Sequence, residues 1–136
     1  MGQTIQQHAG LAIYHVNFHT YQNRPVFEPA EYLSLAEAAL NDVLRHWAIP
    51  CITWTVMPKH VHLIVVTFPD QQLGRILNLI KGRTSRSILE AAPELRGDLG
   101  NHLWQEGYHW VLIKDQRQCA NAIRYIRENR HRGGLE

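Results

Sequence analysis

The reading of this chain turns on Met57-Pro58-Lys59-His60-Val61-His62-Leu63-Ile64-Val65-Val66. An apolar run rich in Val and Ile reads as a strand buried on at least one face. Side chains alternate along a strand, so His60 and His62 point to the same face. Two imidazoles side by side in apolar surroundings are poorly explained by packing and well explained as a pair of metal ligands.

Working outward, Leu11 to Thr20 alternates and is rich in Ile, Tyr, Val and Phe, which predicts a first strand before the break at Asn23-Arg24-Pro25. Pro29 suits the first turn of a helix over Ala30 to Trp47, whose stripe is Leu33, Ala36, Leu40, Val43, Leu44 and Trp47. Cys51 to Met57 alternates through Ile52, Trp54 and Val56, and the short Pro58-Lys59 link predicts an antiparallel hairpin with the histidine strand. Phe68-Pro69-Asp70 ends that strand, with Asp70 expected to cap the next helix. That helix buries Leu73, Ile76, Leu77, Ile80, Thr84 and Ile88. Ala91 to Leu103 carries Pro93, Gly97 and Gly100 and reads as a loop. Gly107 to Lys114 is a fourth strand. Asp115 or Gln116 opens a last helix with the stripe Cys119, Ala122, Ile123 and Ile126, ending near Gly133-Gly134. Trp54, Trp104 and Trp110 are expected in the core.

Strand, helix, strand, strand, helix, strand and an added helix make an α+β chain. The expectation is a ferredoxin-like, split βαβ antiparallel sheet with helices packed on it. A length of 136 residues suits one domain, placed at 11–136 after a polar lead-in over 1–10. Cys51 and Cys119 form no CxxC pair and read as reduced core thiols of a cytoplasmic protein. No apolar stretch approaches the roughly 20 residues of a membrane span, and no signal peptide opens the chain. A net charge of +2 excludes a strongly basic protein. Local clusters remain: Lys81, Arg83 and Arg86, then Arg124, Arg127, Arg130 and Arg132. Of these, Lys81, Arg83, Arg86, Arg124, Arg127 and Arg132 are the candidates for contacting a nucleic-acid backbone.

On the last helix Tyr125 and Asn129 lie four apart, at the edge of the buried stripe. Packed on the histidine face, that helix brings His60, His62, Asn129 and Tyr125 together. Two imidazoles and an amide oxygen can hold a divalent ion with positions open for phosphate oxygens. Tyr125 is then a nucleophile beside a polarised phosphate. Attack by a tyrosine conserves the energy of the cleaved bond, so a strand can be rejoined.

Pro58-Lys59-His60-Val61-His62-Leu63-Ile64-Val65 resembles the His-hydrophobic-His (HUH) motif of single-tyrosine transposases, the small insertion-sequence enzymes and the REP-associated tyrosine transposases. Lys59 stands where the family usually has Asn. Tyr14-His15-Val16-Asn17-Phe18 is similar to the family's first strand and Leu103-Trp104-Gln105-Glu106-Gly107-Tyr108 to its pre-strand segment. Ala122 to Asn129 resembles the tyrosine helix, and the ending from Arg132 to Leu135 echoes the REP-associated branch. The resemblance implies cleavage and rejoining of single-stranded, hairpin-containing DNA through a 5′-phosphotyrosyl link at Tyr125. It implies Mg²⁺ or Mn²⁺ held by His60, His62 and Asn129. A homodimer and a monomer are both known among such relatives.

Two other functions compete. A ferredoxin-like sheet can carry base-stacking residues of an RNA-binding module, but no basic, Gly and aromatic run of that kind lies on a central strand. A hydrolytic metal phosphoesterase would use the histidines without a covalent intermediate. His15, His19, His102 and His109 are further candidates outside the tight pair.

Overall fold

The computed structural model describes residues 10–131. The stretch 1–9, Arg132 and the Gly133-Gly134 ending lie outside the described residues. The strands are β1 (Ala12–His19), β2 (Cys51–Val56), β3 (His60–Thr67) and β4 (His109–Ile113). They form one sheet in the order β2-β3-β1-β4. Every pairing is antiparallel, so β1 and β2 run the same way with β3 between them. This is the split βαβ arrangement.

Alternation along the two central strands sorts the residues into layers. Val16 and Phe18 of β1 and Val61, Leu63 and Val65 of β3 join the larger core. There they meet Leu40, Val43 and Leu44 of α1 (Ala30–His46) and Leu77, Ile80 and Ile88 of α2 (Leu73–Ala91). The opposite face belongs to the last helix, α4 (Gln116–His131), following the short α3 (Arg96–Leu99). Its Ile126 meets Ile13, Ile64 and Ile113, with Cys119, Ala122 and Ile123 against them. His60 and His62 alternate with Val61 and Leu63, and therefore lie on the α4 face. Proline suits the start of α1: Pro29 precedes it, and its carbonyl accepts from Tyr32 and Leu33 N–H.

Several local expectations fail. Trp47, read as the end of the first helix's buried stripe, follows α1 and is 44% exposed. Asp70 does not cap α2; Gln72 precedes that helix. The Gln71 side chain accepts from the Phe68 N–H while the Gln71 N–H donates back to the Phe68 carbonyl, so a turn absorbs Asp70. Residues 91–103 are not an irregular loop, because Pro93–Leu95 forms a 3₁₀ turn running into α3. Buried Leu99 and Leu103 anchor that segment to the core, and Gly100 ends α3 at φ +62°. Trp110 is 55% exposed because β4 is an edge strand beyond the reach of α1 and α2. Trp104 meets the expectation, crossing Phe18 edge-on at 4.7 Å and donating to the Thr84 hydroxyl at 3.0 Å.

Candidate active site

The β2–β3 turn sets where His60 begins. The Met57 N–H donates to the His60 carbonyl at 2.7 Å, and the backbone N–H of buried Thr20 donates to the Lys59 carbonyl at 2.8 Å while its hydroxyl donates to the Arg24 carbonyl at 2.6 Å. The register then places Asn17 opposite His62, His19 opposite His60, and His15 opposite Ile64. Since β1 alternates in step, His15, Asn17 and His19 share the face of the histidine pair.

His60 and His62 cross edge-on with ring centres 4.7 Å apart. His62 is 6% exposed, its Nδ1 lies 3.1 Å from His15 Nε2, and its Nε2 is buried with no hydrogen-bond partner. Burial first, then the neighbouring His60, His15 and His19, lower its pKa to about 3, so the imidazole is neutral. His19 lies 5.2 Å from the ring of His60 and 5.8 Å from that of His109.

The helix bearing the tyrosine is fixed at both ends of its packed length. Asp115 caps it by accepting from the Gln118 N–H at 2.8 Å, and the Gln118 amide donates to the Leu112 carbonyl of β4 at 3.1 Å. Further along, the Arg130 guanidinium donates to the Trp54 carbonyl and covers the Trp54 ring at 4.6 Å. Between these ties the Tyr125 ring comes 5.4 Å from that of His62 and 6.1 Å from that of His15. Tyr125 is 49% exposed on the wall of a cleft of about 500 Å³, which His15, His62, His109, Val111 and Asn121 also line. Asn129, one turn on, is only 9% exposed.

His62 has the chemistry of a divalent-ion ligand. His62 Nε2 is a buried nitrogen lacking a partner, on a ring that is neutral and so able to ligate. Among the described residues no group of three or more His, Cys, Asp or Glu side chains is placed to hold a metal ion. Asn129, buried one turn beyond Tyr125 on α4, carries an amide oxygen.

The basic residues separate. Lys81 is half-buried, donates to the Gln105 and Gly107 carbonyls, and has its pKa lowered by burial against the opposing pull of Glu106. It ties the segment before β4 to α2. Arg83 covers the Trp47 ring at 5.3 Å, and Arg86 pairs with Glu90 at 3.1 Å. All three sit on α2, across the sheet from the histidines. Arg124 and Arg127 are exposed on α4, the helix that carries the tyrosine.

Comparison with known proteins gives this architecture a family. The model of that family, described as "Transposase IS200 like", matches residues 9–129. The chain belongs to the IS200-like transposases. This transposase is 34% identical over 97 residues to the ISDra2 transposase TnpA of Deinococcus radiodurans, a match spanning 68% of each chain. Its fold is shared with a crystal structure of a Deinococcus radiodurans R1 transposase, at TM-score 0.67 and 23% identity over 85% of this chain and 88% of that one. It is shared as well with a REP-associated tyrosine transposase bound to a REP hairpin, at TM-score 0.66 and 19% identity over 90% and 68%. The HUH tyrosine transposase resemblance seen in the sequence is therefore one of family, and the protein is an enzyme of DNA transposition. Among the described residues no helix is long and apolar enough to cross a membrane.

His15 is the site residue that the sequence did not place. It was visible as a histidine on the first strand, and the alternation His15, Asn17, His19 was there to read. Which face that alternation occupies depends on the β1–β3 register, which the sequence does not spell out.

Proposed function

We propose that this transposase cuts single-stranded DNA with Tyr125 and rejoins it through a 5′-phosphotyrosyl intermediate, with Mg²⁺ or Mn²⁺ held by His60, His62 and Asn129. One observation carries the reading: the ring that presents a buried, unpartnered nitrogen, His62, faces the Tyr125 ring at 5.4 Å. Bound there, the cation supplies charge stabilisation on the non-bridging phosphate oxygens.

The chain's own residues account for the rest. A phenol is a weak nucleophile at neutral pH, so its value lies in placement against the phosphate. The Tyr125 oxygen forms its bond to phosphorus as the bond to the 3′ oxygen breaks. The phenol proton passes to solvent, and the departing 3′ oxygen takes one up. Reversal by a new 3′ hydroxyl completes strand transfer and restores the tyrosine. Arg124, next to Tyr125 in the chain, is exposed and suited to the strand's phosphates, whereas Arg127 lies about 200° round α4 from Tyr125 and would meet only DNA that wraps the helix. Arg83 and Arg86 would meet only DNA that reaches the other layer, and Lys81 serves to hold the segment before β4. The fold shared with a transposase solved on a REP hairpin supports a hairpin-bearing strand as substrate. The protein would act in the cytoplasm on nucleoid DNA, as a single catalytic domain over 11–136.

Covalent capture tests this. End-labelled single-stranded hairpin DNA is mixed with the protein and Mn²⁺, then denatured. The expected product is a labelled protein band that survives denaturation and disappears in Tyr125→Phe and in His62→Ala. Cutting without a covalent band would replace this mechanism with hydrolysis, and DNA binding without cutting would leave only a binding module.

A further inference from the structure

The contact between His15 and His62 has a direction. A neutral imidazole carries one N–H and one bare nitrogen. Across the 3.1 Å between His15 Nε2 and His62 Nδ1 there is one proton to share, and either ring can hold it. If His15 donates, His62 has its own proton on Nε2. That atom is buried and has no acceptor, so an N–H would be stranded, and no lone pair would be left on it for a metal. If His62 donates from Nδ1, His15 accepts at Nε2 and His62 Nε2 is bare. Ligating histidines ordinarily donate their second N–H to an acceptor in this way, which fixes both tautomer and ring orientation.

We propose that His15 is a positioning residue of the metal site: its Nε2 accepts the His62 Nδ1–H and so turns the His62 Nε2 lone pair toward the divalent ion. The inference rests on the metal reading above and adds a residue to it. The partnership is built into the sheet. His15 sits opposite Ile64, diagonal to His62 across the β1–β3 pair, and the two rings meet at 47° with centres 5.2 Å apart. His15 contributes from the neighbouring strand an acceptor for the His62 Nδ1–H.

Two measurements test it. Nitrogen-15 spectra of the metal-free protein, which correlate ring nitrogens with ring protons, should show His62 as the Nδ1–H tautomer; an Nε2–H tautomer would overturn the proposal. Mn²⁺ titration followed by electron paramagnetic resonance should show affinity falling about 10- to 100-fold in His15→Phe, which keeps a ring and removes the acceptor. His15→Gln, which restores an amide oxygen acceptor, should recover much of that loss. Wild-type affinity in the Phe variant would overturn the role of His15 alone. Absence of Mn²⁺ binding in the wild type would instead overturn the metal reading. Should His15→Phe not fold, the wild-type tautomer still decides.

Discussion

His62 makes the fold sensitive to acid. Its folded pKa is lowered from 6.5 to about 3, chiefly by burial. The unfolded chain, with an exposed imidazole, therefore takes up the proton first as pH falls. Stability from this residue is intact above about pH 6.5 and drains away from there towards pH 3. In metal-free protein the urea midpoint should fall over that window, and His62→Gln should flatten the slope; equal slopes in both would place the acid sensitivity elsewhere. The same residue shows what one sequence can reveal. That His60 and His62 share a face follows from backbone geometry alone, whatever surrounds the strand. That His62 is met by His15, and that Lys81 turns inward to two carbonyls, depends on which strands and segments become neighbours. Spacing along the chain carries no record of that.

At the scale of elements, α4 is the exposed weak point. The larger core joins α1 and α2 to one face of the sheet, whereas α4 rests on a small cluster of Ile13, Ile64, Ile113 and Ile126. Ile126 is fully buried there, one position beyond the tyrosine. Ile126→Ala should cost about 2–5 kcal/mol and Ile126→Val about 1 kcal/mol in urea unfolding. Hydrogen exchange should rise in α4 well before it rises in α1 and α2, because the remaining cluster is too small to hold the helix independently. A uniform rise would show that α4 unfolds only with the whole domain. Strong periodicity made these helices legible. The α3 segment was obscured because Pro93, Gly97 and Gly100 look like loop punctuation, while its leucine anchors at 99 and 103 matter only once a core exists to receive them. Trp110 misled for the converse reason: aromatic alternation marks a strand but does not reveal that the strand is an edge.

For the whole molecule, the topology decides whether one chain can work alone. A split βαβ fold covers one sheet face with two helices and leaves the other to whatever follows β4. In this transposase the following helix returns over its own sheet, so Tyr125 stands beside the His62 of the same chain. A dimer in which each tyrosine helix docked on the partner's sheet would instead build each site from two chains. Mixing Tyr125→Phe with His62→Ala protein separates these arrangements. With the site contained in one chain, every molecule in the mixture lacks either the nucleophile or a ligand, and covalent capture should stay at background. In a composite symmetric dimer, half of randomly assorted dimers are mixed and each has one of its two sites intact, so capture should recover to about a quarter of wild type. Background activity after the subunits have been allowed to exchange supports cleavage in cis. Recovery towards a quarter would mean that α4 leaves its own sheet when the enzyme acts, its small isoleucine cluster being the contact that parts.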